Sequence, residues 1–348
     1  MNQQFKQLAE KAGIHFEGVD ADFQAKNASL RLDNRGGLAC DAQPSLITTS
    51  NSAIPAFLST FIDPALIEVL LAPMKAAEIV GNESKKGDWT TRTAMFPIIE
   101  STGEVSSYGD YNNSGNAGTN FNFPQRQSFH YQVTTNWGER ELAEAGLARI
   151  DLANRLNIAS VKTLNKYQNN TYFFGVANLQ NYGLFNDPSL SAAITPTTKV
   201  AGGTGWENAT GQEVIADIAK MYRQLQLQAN GTVNLSSRMT LAFSPTSELG
   251  MIKPATLLAT TSVRDYIKTQ YPNLTVEVAP EYTTASGEFV QLIADAGDGQ
   301  QTAITAFTEK LRAHPIVVAL SSFMQKKSQG TWGTIVFRPF LIVGMLGV

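Results

Sequence analysis

The residues of this chain best able to do chemistry are few and scattered. His15, His130 and His314 are its only histidines, and none has a second histidine, a cysteine or a carboxylate at metal-ligand spacing, so the pattern predicts no zinc site. His130 lies in a stretch of strand-like alternation, where an imidazole packs or faces solvent. Cys40 is the single cysteine. It allows no intrachain disulfide and reads as a small apolar residue rather than a nucleophile. Gly202-Gly203-Thr204-Gly205 is glycine-rich but lacks the lysine and preceding strand of a phosphate loop, and reads as a flexible loop. Asp295 and Asp298 flank Gly297 in a turn that could hold calcium weakly; a solvated turn is the simpler reading. Glu139, Glu141 and Glu144 crowd a helix start, where carboxylates favour the helix dipole rather than acid–base work. No Gly-X-Ser-X-Gly elbow or His-Glu-X-X-His run occurs. The residues therefore predict no catalytic, cofactor-binding or metal-binding position, and a protein that is not an enzyme.

The bulk composition points to what such a chain does with its surface. Of 348 residues 43% are hydrophobic, enough for a sizeable core, yet only 16% are charged, against roughly a quarter in average globular proteins. A monomer needs charge over most of its surface, whereas a subunit that buries much of it against neighbours does not. The formal charge is −3, with no basic tail or acidic run. Strong, salt-dependent nucleic-acid binding is not written into that balance. The amino-terminal residues contain no signal-peptide run, and the longest apolar stretches, 315–320 and 340–343, are too short to span a bilayer. A soluble, cytoplasmically made protein is expected.

Elements follow from spacing. Residues 1–62 mix short apolar pieces with Gly36-Gly37 and a Ser/Thr/Asn run, and read as an extended arm. Asp63-Pro64 signals a helix start, Pro73 restarts the helix, and Gly81 stops it after Val80. Residues 85–135 read as a long two-stranded flap with a turn-rich tip at 106–118. A free hairpin of that length is marginal in water, and its aromatics would be an aggregation hazard unless they pack on a neighbour. Residues 139–168 predict one long helix, striped by Leu142, Ala145, Leu152, Leu156, Ala159, Leu164 and Tyr167, spanning ~45 Å as a strut. Beyond it lies mixed α/β sequence. Thr210 and Glu213 form a capping box for a helix buried through Val214, Ile215, Ile218, Met221, Tyr222 and Leu225, stopped at Asn230-Gly231. A strand at 239–243 and helices from Ser244-Pro245 and Ser262 follow. Strands at 274–278, 289–293 and 304–307 are expected to complete one sheet, with final strands at 316–320 and 331–341.

This order of elements resembles the Hong Kong 97-type capsid fold of tailed bacteriophages. Strings that look like one branch of it, the "major capsid family protein" group, are Ile62-Asp63-Pro64, Glu68-Val69-Leu70-Leu71-Ala72-Pro73-Met74, Gly87-Asp88-Trp89 and Tyr108-Gly109-Asp110-Tyr111. Further on come Asn181-Tyr182-Gly183-Leu184-Phe185-Asn186-Asp187-Pro188 and Gly330-Thr331-Trp332-Gly333-Thr334. The resemblance implies an α+β fold. Its parts would be an arm (1–62), a peripheral domain (63–180) with spine helix and extended loop, an axial domain (181–330) and a returning strand (331–348). It implies a major capsid protein that self-assembles into hexamers and pentamers of an icosahedral or prolate head around DNA, made in the host bacterial cytoplasm and residing in the virion. Partners would be further copies of the chain, a portal protein, scaffolding and decoration proteins, and packaged double-stranded DNA by non-specific contact, with no membrane. Lys85 and Lys86 stand at the flap's base rather than its tip, so the covalent crosslinking of some relatives does not transfer. Two other readings fit parts of the sequence: an encapsulin-like compartment shell, and a secreted carbohydrate-binding or adhesion protein.

Overall fold

A computed structural model describes residues 73–147, 150–256, 261–297 and 299–348. The arm, the helix start at Asp63-Pro64, His15, Cys40 and Asp298 lie outside those residues. In chain order the elements begin with helix α1 (Ala76–Val80) and strands β1 (Glu83–Lys85), β2 (Thr93–Met95), β3 (Ile98–Glu104), β4 (Asn116–Asn122), β5 (Gln125–Gln127) and β6 (Phe129–Gly138). Helices α2 (Glu139–Leu147), α3 (Leu152–Phe174) and α4 (Gly211–Gln228) follow, then β7 (Met239–Phe243), α5 (Pro245–Ile252), α6 (Val263–Gln270) and β8 (Leu274–Val278). The chain continues through β9 (Thr283–Thr284), β10 (Gly287–Ala294), β11 (Ala296–Gly297), β12 (Gln300–Gln301), β13 (Ala303–Ala313), β14 (Val317–Ala319), β15 (Ser322–Val336) and β16 (Ile342–Leu346). Two compact units result. The described residues of the smaller are 137–147, 150–155 and 320–322, in which Glu139 N–H donates to Ser321 O; the larger holds the rest.

Two sheets organise the larger unit. One runs β16-β10-β7-β8, with β7 and β8 parallel and β10 antiparallel to both β7 and β16. Period-two alternation sends its side chains to two different cores. Met239, Leu241, Phe243, Val290, Leu292, Val343 and Met345 meet the buried stripe of α4, including Val214, Ile218, Met221 and Leu225. Ala242, Ile293 and Ile342 point the other way, into a cluster with Phe173, Leu184 and Tyr282. Each large side chain so buried stabilises the fold by ~1.5–3 kcal/mol. The capping box forms as its spacing predicts: Thr210 N–H donates to Glu213 Oε2 at 2.7 Å, and Glu213 N–H returns to Thr210 Oγ1. Asn230 and Gly231, both at positive φ, end the helix.

The other sheet runs β1-β13-β15-β14, with β6 added on β15. It corrects the expectation of a single sheet: the strand containing 304–307 pairs antiparallel with β15 and parallel with β1, not with the β7–β10 set. Conversely, the last apolar segment is broken at Pro339 and delivers β16 to the first sheet.

The single long helix is also corrected. Asp151 Oδ1 accepts from Asn154 N–H and so caps a new helix after α2 ends at Leu147. The helix that results, α3, runs on through Phe174, and its buried face shares only Leu164 with the expected stripe. Ser160, Leu164, Gln168, Asn169, Thr171, Tyr172 and Phe173 are buried. Their partners on β15 are largely polar. Lys327 Nζ donates to Ser160 Oγ at 2.6 Å and to Asn157; Gln329 Nε2 donates to Asn165 Oδ1 at 3.0 Å; Thr171 bonds Thr331; Thr334 Oγ1 donates to Tyr172 O at 2.7 Å. Burial lowers the affinity of Lys327 for its proton, and among the described residues no carboxylate offsets this.

Candidate functional site

The flap at 85–135 is built from three ladders rather than one hairpin. β2 pairs β5, β3 pairs β4, and β6 leaves the flap to join the second sheet. The tip is shorter than the 106–118 expected, because β4 begins at Asn116. Every residue of β3 and β4 is exposed. Ile99 faces Phe121 across the pair, and Phe121 stacks on Phe123 at 6.4 Å. These three side chains keep 61%, 59% and 54% of their surface in solvent. Two strands alone cannot cover such a face.

Its root, by contrast, is fixed by the strings singled out in the sequence. Asn181 Nδ2 donates to Gln127 O at 3.0 Å and to Thr331 O at 3.1 Å, joining β5 to β15. Asn186 accepts from Gly183 N–H and donates to Phe174 O, closing the loop on the end of α3. Asp187, wholly buried, takes Arg126 of β5 at 2.7 Å, and the Arg126 guanidinium lies 4.7 Å from the Tyr182 ring. Gly333 adopts φ +73°, and a Cβ there would overlap Tyr182 O, so glycine is required. Trp332 Nε1 donates to Lys86 O at 2.8 Å, tying β15 to the first residues of the flap.

One constellation escaped sequence reasoning. His130 and His314, far apart in the chain, both meet Trp89, at ring-centroid distances of 4.5 and 6.5 Å, and Arg312 stands 5.1 Å from the same indole. His130 bonds Thr308 Oγ1 at 3.1 Å, and its ring crowds Gly330, where a Cβ would collide with it. Burial lowers the pKa of His130, with Glu309 opposing the shift. The signal that could have found it was Gly330, a glycine inside a strand that marks a close approach.

The remaining candidates do not converge. Asp295 is hydrogen-bonded to Thr240 and its pKa is raised by burial. Glu144 pairs with Arg140 on the exposed α2, and Gly202 and Gly203 form a turn at positive φ. Among the described residues no cluster of histidine, cysteine or carboxylate could hold a metal, and no helix is long and apolar enough to cross a membrane. What the molecule offers is a surface: an exposed two-stranded flap on a rigid, hydrogen-bonded root.

The family model described as Pa193 gp26 major capsid protein matches residues 45–347. The chain belongs to this family. It is accordingly a phage major capsid protein, and the resemblance read from the ordered strings holds. No curated protein sequence matches it. Solved structures agree on the fold. The capsid of Myoviridae phage XM1 aligns with a TM-score of 0.73 at 13% identity, covering 86% of this chain and 100% of that one. The capsid of the native GTA particle gives 0.59 at 12% identity, covering 86% and 99%. A structure from Mycobacterium phage Ogopogo gives 0.56 at 7% identity, covering 82% and 96%. The capsid subunit thus has the mixed helix-and-sheet Hong Kong 97-type architecture.

Proposed function

We propose that this capsid subunit builds hexamers and pentamers of a closed phage head around double-stranded DNA, with the flap of each copy lying over the next. The observation that carries this reading is the β3–β4 ladder, every residue of it exposed, with Ile99, Phe121 and the adjoining Phe123 bare to solvent while its root is pinned by buried polar bonds. A rigid root supporting an uncovered apolar face suits a surface that a neighbour completes. In this reading the β13–β15 sheet, α3 and the flap form the peripheral part. The β16-β10-β7-β8 sheet with α4 forms the axial part, so the axial domain gives up the strands near 304–307 and gains β16. The subunit acts structurally, without catalysis, and touches DNA non-specifically, a reading supported by its slight net negative charge and the lack of a basic run to bind phosphates strongly. Assembly in the host bacterial cytoplasm, with a portal, scaffolding and decoration proteins as partners, belongs to the same reading.

Electron microscopy of the purified chain tests it. Closed shells of one size are expected. A monodisperse monomer or dimer under every assembly condition overturns the proposal, and shells built without fivefold and sixfold clusters overturn its hexamer–pentamer part.

A further inference from the structure

The first sheet carries a half-open cavity of about 290 Å³ on the face turned away from α4. Its walls come from Phe185 and Leu190 of the loop after α3, Phe289 of β10, and Ile342 and Leu346 of β16, with Phe174 at the edge. Gly344 lies between the last two, and its missing side chain leaves room for the Phe289 ring. No charged residue lines the cavity; its polar groups are Ser191, Thr284, Ser286 and Gln291. Phe185, Phe289 and Tyr282 hold each other edge-on or stacked at 4.8–5.9 Å, so the pocket wall is preformed.

We propose that this pocket receives Ile99 and Phe121 from the flap of a second copy; the inference rests on the shell reading above. Three observations select that occupant. First, size: a dry apolar cavity of ~150 Å³ takes one benzene ring, so about 290 Å³ accommodates a phenyl ring with an aliphatic neighbour. Ile99 and Phe121 present that pair, side by side across the β3–β4 ladder. Second, charge: β4 carries no ionisable side chain over Asn116–Asn122, strand alternation turns Glu100 and Glu104 of β3 to the face opposite Ile99, and the pocket carries no charge, so the docked face buries no unpaired ion. Third, placement: flap and pocket lie at different places on one copy, so head-to-tail contacts between them can close into the rings that the shell reading requires. A further exposed apolar run, Ile316 followed by Val317 and Val318 of β14, has no aromatic to fill the cavity.

Disulfide trapping tests the pairing. In a Cys40→Ser background, Thr119→Cys sits two residues from Phe121 on the same face of β4, and Ser286→Cys sits on the pocket wall. Mild oxidation of assembled particles should give a ladder of covalent oligomers in the double variant and none in either single variant. Particles of normal size without a ladder overturn the pocket assignment and leave the shell reading intact, whereas absence of particles from the unaltered chain overturns the shell reading itself. In parallel, Leu190→Asp should lower particle yield about tenfold or more beyond the isosteric Leu190→Asn, which loses the same packing on the subunit's own core but places no charge in the desolvated contact. A yield from Leu190→Asp no lower than that from Leu190→Asn overturns the proposal even if the cysteine variant fails to assemble.

Discussion

Among the described residues Asp217 accepts from four donors, and its removal has a cost that can be worked out from them. It is fully buried on α4 and accepts from Lys199 Nζ, from Trp206 Nε1 at 3.0 Å, and from the backbone N–H and hydroxyl of Thr197 at 3.2 and 2.7 Å. Together these bonds hold the loop carrying residues 197–206 against the helix. In Asp217→Leu the Lys199 ammonium, itself fully buried, loses its partner, a defect costing ~3–5 kcal/mol. The indole N–H is orphaned as well, at ~1–3 kcal/mol. Lys199→Met is milder, because Asp217 keeps its three neutral donors. The double variant Asp217→Leu/Lys199→Met removes both charges and leaves chiefly the orphaned indole and Thr197 groups. It should therefore recover ~2 kcal/mol or more over the single Asp217 variant. Urea unfolding of the unassembled subunits, followed by circular dichroism, reads all three. If Asp217→Leu loses less than ~1 kcal/mol, or the double variant loses the sum of the singles, the buried-pair reasoning fails.

Four further outcomes are expected. Because the pKa of His130 is lower in the folded state than the ordinary ~6.5, its contribution is intact above that pH and is lost as pH falls below it; melting temperature should drop from pH 7.5 to 5, and less so in His130→Gln. Gly333→Ala forces a left-handed alanine against Tyr182 O and should cost roughly 2–5 kcal/mol in denaturant unfolding. Arg126→Met takes the cation from the buried Asp187 carboxylate, which keeps the backbone N–H and hydroxyl of Ser189, so the subunit should lose ~1.5–3 kcal/mol and the amides of β5 should exchange faster. Replacing the tip, Ser106–Ser114, by a short Gly-Ser turn should leave the melting temperature of the subunit unchanged within ~1 °C and reduce particle yield, because the tip contributes nothing to the core. A failure of that variant to fold shows the tip to be part of a core after all.

Local signals were legible wherever the chain's own chemistry decides the structure. The Thr210/Glu213 box, Ser244-Pro245, Ser262 and Gly81 are caps whose partners lie within a few residues, and each ends or starts an element at the expected place. What the sequence hid was set by distant partners. The aliphatic stripe of 139–168 suggested one continuous strut, yet the face that α3 buries is chosen by Lys327, Gln329 and Thr331 on a strand some 160 residues away. Sheet membership of 304–307 was hidden for the same reason, since alternation shows that a strand is half buried but not beside which strand it lies. Strings such as Asn181–Pro188 and Gly330–Thr334 were visible as turn-like oddities. Only the fold explains them, as the bolts between flap root, helix end and β15.

The polar seam between α3 and β15 has a mechanical consequence. A helix repeats every ~5.4 Å per turn, whereas alternate residues of a strand repeat every ~6.7 Å, so the two scales fall into step at only one offset, like the graduations of a vernier. An oily contact would permit small slips along its length, but these bonds at Ser160, Asn165, Thr171 and Tyr172 fail together if the offset changes. Within the span of those contacts a load applied along α3 is passed to β15 as a push on a rigid rod.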